Sequence, residues 1–200
     1  KAVRLPQRYI GGFRHIRPEE SEVKFELGFD LLAGHPHYKR EAKYLALQIL
    51  GGEEVSRLNT EARIKRSLVY DISTSVVDET DVGFVGITAA AQAENINRIL
   101  DVVIAEPVSS RELERAKRQM IVALTKKAED NEDSIEVSAE QLLNFGRLRS
   151  TEEQISRINA VSTDDVLAAA AAIFATTPSY LIQGRIADCY SYEQIKAKLR

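Results

Sequence analysis

The chain reads as an α+β protein: a largely antiparallel sheet with helices packed on one face, in the order ββαα-ββ-helices-βα. Three observations predict this. Residues 23–29 alternate apolar with polar or small side chains, the period of a half-buried strand. Residues 42–50 carry apolar side chains at helical spacing. Strand-like runs come early and in pairs, while helix-like runs follow one another from 96 to 175, a pattern that gathers helices on one side of an antiparallel sheet.

Tyr9-Ile10-Gly11-Gly12 is a turn signal, and residues 13–17 extend from it as a strand that Pro18 stops. The polar turn Pro18-Glu19-Glu20-Ser21 leads into the second strand, where Val23, Phe25, Leu27 and Phe29 share one face. These two strands are expected to pair as an antiparallel hairpin. After the polar loop 34–37, Ala42, Leu45, Ala46, Ile49 and Leu50 mark the first helix, with Gly51 as its C-cap glycine. A second helix is expected over about 54–66, with Glu53 and Arg57, then Glu61 and Lys65, as acid-before-base pairs at i,i+4. Residues 69–77 and 82–89 form a second hairpin around Asp78-Glu79-Thr80-Asp81.

Ile96, Ile99, Leu100 and Val103 then make one helical stripe, ended by Pro107. Ser109 and Glu112 form a capping-box pattern before a long helix containing Leu113, Ala116, Met120 and Leu124. Ile135, Ala139, Leu142 and Leu143 mark another helix, closed at Gly146. Ser150-Thr151-Glu152-Glu153 reads as a full capping box, and Ser162-Thr163-Asp164-Asp165 as a further helix start. Residues 178–186 return to a strand, and Ser191-Tyr192-Glu193-Gln194 caps a short last helix. No repeat, low-complexity tract or linker intervenes, so residues 1–200 read as a single domain. The start at Lys1, without methionine or targeting segment, makes a piece of something longer the expectation.

Composition removes several function classes. The 27 basic and 30 acidic side chains are well mixed, with a formal net charge of -3, and no basic stripe suits nucleic acid. Cys189 stands alone, which rules out an internal disulfide framework or a cysteine-rich zinc knuckle; it reads as a small apolar filler. No run approaches the roughly 18 apolar residues of a membrane helix, so no membrane insertion is expected.

Chemical candidates are few. His15, His35 and His37 show no i,i+4 pairing, and neither His-x-x-Glu-His nor its reverse occurs. His35-Pro36-His37 reads as a turn pair, and no metal site is expected. Gly-x-Ser-x-Gly is absent, so no catalytic residue is assigned. Gly51-Gly52 looks like half a phosphate loop, but Glu53-Glu54 follows and would repel a phosphate. Asp130, Glu132 and Asp133 read as a solvated helix junction. Arg63 and Tyr70 remain. Arg63 has Asn59, Thr60, Arg66 and Ser67 at helical neighbour positions and so no local acid, while Tyr70 opens the next strand. Together they can grip a peptide carbonyl or carboxylate. A solvated arginine beside an ordinary strand-start tyrosine is the other reading.

In chain order, Tyr9-Ile10-Gly11-Gly12, Leu27-Gly28-Phe29-Asp30, Leu50-Gly51-Gly52, Ser56-Arg57-Leu58, the Arg63-to-Tyr70 run, Glu112-Leu113-Glu114-Arg115-Ala116-Lys117 and the closing 190–195 segment resemble one family. It is the C-terminal-type, zinc-free domain of the pitrilysin and mitochondrial-processing-peptidase family of zinc metallopeptidases. The resemblance covers nearly the whole chain. It implies a metallopeptidase-family fold that pairs with a homologous zinc-bearing domain or subunit around a closed chamber for unfolded peptides. It implies no cofactor on this chain, and zinc on the partner. The zinc-free half contributes an arginine and a tyrosine that hold the substrate backbone, and Arg63 and Tyr70 fall on those positions; Gly51, Gly52, Ser56 and Arg57 fall on the loop near the substrate. Glu53-Glu54-Val55 stands where relatives carry a longer run of small residues, Val69 replaces the usual glycine before Tyr70, and Ser67 replaces the one after Arg66. Holding substrate is therefore expected rather than a processing role. The alternative is a non-catalytic core subunit of a respiratory, cytochrome reductase-like complex. The compartments compatible with these readings are bacterial cytoplasm, periplasm or the mitochondrial matrix side.

Overall fold

Five strands form one mixed sheet: β1 (Gly12–Ile16), β2 (Val23–Asp30), β3 (Asp71–Asp78), β4 (Gly83–Ala91) and β5 (Ser179–Gln183), in the spatial order β1-β5-β2-β4-β3. The structure is a computed structural model and describes residues 8–17, 23–31, 40–52, 55–78, 82–104, 108–129, 135, 138–139, 141–143, 146–184 and 189–199. Three of the four neighbouring pairs are antiparallel, and β1 with β5 is parallel. The class is α+β, as the sequence predicts.

β2 takes the centre because every apolar residue of its alternation is inside. Val23, Phe25, Leu27 and Phe29 are buried, whereas Lys24 and Glu26 lie on the opposite face. The first predicted hairpin does not form. β5 separates β1 from β2, with Tyr180 opposite Leu27 and Ile182 opposite Phe25 on the helix-covered face. Tyr180 and Ile182 are fully buried, whereas Phe13 and Ile16 of β1 are exposed. The strand with more to bury occupies the interior, and β1, with Arg14, is left at the edge. The Tyr9-Ile10-Gly11-Gly12 turn serves this join. Gly11 has φ +66° and packs so closely on the carbonyls of Thr177 and Pro178 that no side chain fits. Gly12 N–H donates to Pro178 O at 3.0 Å, and the Tyr9 hydroxyl bonds Gly28 O and Ser179 Oγ at 2.9 and 2.7 Å. The β3–β4 hairpin forms as predicted, in the register Asp71↔Ala90 to Asp78↔Gly83; residues 79–81 of its turn lie outside the described residues.

Helices cover one face in two layers. Helix α1 (Arg40–Gly51) lies between them. Leu47 and Leu50 join the sheet core, whereas Ala42, Leu45, Ala46 and Ile49 join a second core. That second core includes Leu113 and Ala116 of α3 (Ser110–Glu129), Ile158 of α4 (Thr151–Asn159), and Val166 and Ala169 of α5 (Thr163–Phe174). In α2 (Ile96–Ile104), Ile96, Ile99, Leu100 and Val103 are all buried, as their spacing predicts. The last helix, α6 (Tyr192–Lys198), closes over β1 and β5: Tyr192 stacks on Phe13 with ring centroids 6.1 Å apart, and Ile195 is fully buried. Cys189 packs partly against the sheet core.

Most helix ends follow expectation, and two depart from it. Ser109 and Glu112 bond reciprocally, as do Ser162 with Asp165 and Ser191 with Gln194. Ser150, expected to head a full capping box, is one-sided. Its hydroxyl accepts from Glu153 N–H, but the Glu153 carboxylate turns to Arg147, a charged donor that outcompetes a backbone amide. Gly146 ends its helix as predicted, with φ +68° and its N–H on Leu142 O. Gly51 is not a left-handed C-cap; it is the last helical residue. A Cβ there would overlap the Thr74 methyl, and the Thr74 hydroxyl donates to Gly51 O at 3.0 Å. The loop 34–37 with His35 and His37, the pair Glu53-Glu54, Pro107, and the acidic run at Asp130, Glu132 and Asp133 lie outside the described residues.

Close approach between α1 and β3 therefore explains Gly51. Gly51→Ala should lower unfolding stability by about 1–3 kcal/mol, the usual cost of overpacking. Gly52→Ala meets only the end of the Gln48 side chain and should change stability by less than about 0.5 kcal/mol. Urea unfolding of the two variants compares them, and equal stabilities would refute the packing explanation.

Candidate functional site

Residues 55–70 connect α1 to β3, and their geometry follows from what they bury. Ser56 is buried, and its hydroxyl accepts from the Asn59 side-chain amide at 3.3 Å. That amide also reaches Ile72 O at 3.4 Å, tying the turn to β3. One helical turn at 57–58 then widens into a π-helical segment, Asn59–Ile64, with Lys65 N–H on Thr60 O five residues back. The predicted helix over 54–66 thus becomes a shorter, wider one. Its inner side places Leu58 and Ala62 in the core and its outer side exposes Arg63 and Ile64.

The exit from this segment decides where Arg63 and Tyr70 stand. Ser67 takes a left-handed conformation, φ +47°, one that glycine adopts more readily than serine. Its N–H bonds Arg63 O, and Leu68 N–H bonds Ala62 O at 2.8 Å. Leu68 and Val69 are then buried, and Tyr70 is 87% exposed immediately before β3. Arg63 and Tyr70 therefore project from either end of a short link whose middle is held in the core. No hydrogen bond joins them, and among the described residues neither side chain has a hydrogen bond or ion pair. Lys65 and Arg66 both bind Glu61, at 2.5 and 2.9 Å, and the Lys65 hydrogen bond holds the Glu61 carboxyl below its ordinary range. Arg63 is the cation of this cluster with no carboxylate partner among the described residues.

Of the other predicted loop residues, Gly51, Ser56 and Arg57 turn inward and Gly52 does not. Gly51 is buried and Gly52 exposed. Arg57 forks onto Glu112 at the start of α3: Nε to Oε1 is 3.0 Å and Nη2 to Oε2 is 2.9 Å. Glu53 lies outside the described residues. Glu112 also accepts from the Ser109 N–H and hydroxyl. Burial pushes its carboxyl pKa up, but the Arg57 and Ser109 hydrogen bonds outweigh that and lower it to about 2. Sequence reasoning saw Glu112 only as a capping residue; no local spacing links positions 55 residues apart. Ser56 and Arg57 thus brace the segment that carries Arg63. Beside Tyr70, Asp71 joins Lys24, Glu26, Thr88 and Gln183 around a cleft of about 280 Å³ on the helix-free face of the sheet. That cleft depends on strand order and has no sequence signal.

Zinc finds no place among the described residues. His15 Nε2 is 2.8 Å from Gly184 O, His35 and His37 lie outside the described residues, and no three described His, Cys, Asp or Glu side chains cluster closely enough to hold a metal. No described helix is long and apolar enough to cross a membrane.

Residues 2–120 match the family model described as the peptidase M16 inactive domain. The chain belongs to this family. As an M16 inactive domain it is 27% identical over 195 residues to an uncharacterised zinc protease of Streptomyces coelicolor, covering 94% of this chain and 42% of that protein. It is 23% identical over 207 residues to mitochondrial-processing peptidase subunit alpha-2 of Dictyostelium discoideum, covering 96% and 46%. Its fold resembles a chain of complex III2 from Candida albicans, solved with Inz-5 bound, at a TM-score of 0.76 and 16% identity, covering 95% and 49%. The M16 inactive domain spans less than half the length of the curated relatives it matches. The resemblance to pitrilysin-type and processing peptidases is borne out.

Two outcomes test the segment's construction. Glu112→Gln should cost roughly 2 kcal/mol at neutral pH, the worth of hydrogen bonds to a charged group. Because the folded pKa is depressed, this stabilisation is present above the ordinary value of 4.5 and is lost as pH falls toward about 2. The gap between wild type and variant in thermal unfolding should close across that window. Ser67→Gly should raise stability by about 0.5–1 kcal/mol by relieving the left-handed strain; a lower melting temperature would contradict it.

Proposed function

We propose that this chain is one domain forming the zinc-free half of an M16 metalloendopeptidase. It closes one side of a peptide chamber and holds the substrate backbone through Arg63 and Tyr70, while a homologous zinc-bearing domain or subunit supplies the catalytic metal and hydrolyses the bond. One observation carries the reading: a guanidinium with no ion pair among the described residues and an 87% exposed tyrosine stand at the ends of a link anchored by Leu68 and Val69. An exposed tyrosine ring and an arginine with no acid among the described residues are available for a ligand. The Arg63 guanidinium would donate to a peptide carbonyl or carboxylate and the Tyr70 hydroxyl to a second carbonyl. The residues near the Gly51-Gly52 turn serve as bracing, consistent with holding rather than moving the substrate.

A second reading, a non-catalytic core subunit of a respiratory complex, draws support from the fold likeness to complex III2 alone. It predicts co-purification with such a complex and no peptide binding.

The two readings separate on mixing. The chain alone should cleave nothing, and adding its zinc-bearing partner should restore proteolysis. In that mixture Arg63→Ala should lower kcat/KM by about 10- to 100-fold, the worth of charge-assisted hydrogen bonds, with an unchanged far-ultraviolet spectrum. Tyr70→Phe should lower it less, having lost only a neutral hydroxyl. Full activity in Arg63→Ala would remove the role assigned to it.

A further inference from the structure

We propose a second binding site, for a carboxylate-bearing peptide segment, in the cleft between the π-helical segment, α2 and the start of α3. The cleft has a volume of about 620 Å³, in the range of ligand-binding clefts. Among the described residues, four guanidinium groups and three carboxylates line it, and each of these carboxylates is already matched. Glu112 is held by Arg57, and Glu61 by Arg66 and Lys65. Asp101 faces Lys198 at 2.9 Å and accepts from the Tyr190 hydroxyl at 3.2 Å.

That leaves Arg98 and Arg115 with no carboxylate among the described residues. Arg98 is exposed and donates only to Asn95 Oδ1 at 3.3 Å. Arg115 is half-buried, and its buried Nε has no acceptor. A buried guanidinium N–H without a partner is uncommon in a folded protein, and here it belongs to a residue lining an open cleft. Two arginines from different helices line one space, Arg115 with a buried Nε that has no acceptor and Arg98 with no carboxylate among the described residues, the arrangement that planar carboxylates fit. The three carboxylates around the same space disfavour a compact, multiply charged group such as a phosphate, whereas an acidic peptide can set one side-chain carboxylate between the two arginines and leave its others in solvent. Val55 and Val102 add aliphatic wall on which the stem of a glutamate or aspartate side chain can lie. The occupant is therefore an acidic peptide segment. This site does not depend on the substrate-holding role of Arg63 and Tyr70.

A fluorescein-labelled hexaglutamate peptide titrated into the full-length protein, with a chelator present to prevent cleavage, tests the site by fluorescence anisotropy. The hexaglutamate should bind at least about tenfold tighter than the matching hexaglutamine peptide, and binding should weaken with added salt. Arg98→Gln and Arg115→Gln should each weaken it about tenfold. Arg98→Glu, a change at an exposed position that spares the core, should abolish it and provides a readout if Arg115→Gln fails to fold. Arg63→Ala should leave it unaltered. Equal affinity for the two peptides, wild-type binding by Arg98→Glu, loss of binding in Arg63→Ala, or displacement of the peptide by equimolar inorganic phosphate would each overturn the proposal.

Discussion

The Arg57–Glu112 fork is the interaction on which the presentation of the candidate site depends. It joins the segment after α1 to the first turn of α3, two elements that share little else. Both partners are largely buried, with side-chain exposures of 13% and 22%, so neither charge is stable without the other. The same carboxylate caps α3 through Ser109. One side chain thus ends one element and fastens another. With Arg57 committed here and Lys65 and Arg66 committed to Glu61, Arg63 is the basic residue of the segment that remains outward with no ion pair among the described residues.

The sheet and the double helical layer provide the rigid base for that arrangement. α1 is apolar on two sides because it lies between two cores, and β2 is apolar on one side because it is central to a sheet covered on one side only. The π-helical segment is bound into this base by Leu58, Ala62, Leu68 and Val69, and the Asn59 amide links it to β3. Loops that carry function gain precision from such anchoring. Membership of the M16 inactive-domain family gives this scaffold its context, and the division of labour proposed for it follows: chemistry on the zinc-bearing half, presentation on this one.

Much of the fold was legible in local pattern. The alternation of 23–29, the stripes at 42–50 and 96–103, the β3–β4 hairpin and three reciprocal caps follow from residue spacing, because nearest-neighbour geometry decides them. The first hairpin was misread for a matching reason. A short polar turn permits β1 and β2 to pair, yet β5, about 150 residues later, outcompetes β1 for the interior through Tyr180 and Ile182. Ser150 shows the same limit on a smaller scale, since Arg147 diverts the glutamate that the spacing assigned to the cap.

The sequence by itself determined the residue types and the family: an arginine without a local acid, a tyrosine before a strand, and an ordered set of short motifs that identify an M16 domain. Tertiary structure alone decided which of those residues face outward. Ser56 and Arg57 sit in the same stretch as Arg63, and nothing in their spacing separates bracing from presentation. Burial of Leu68 and Val69, the wide π turn and a carboxylate 55 residues away from Arg57 make that separation, because exposure and charge pairing are set by what packs nearby in space. The opening stretch of the candidate site is thereby resolved into a braced base and two exposed side chains.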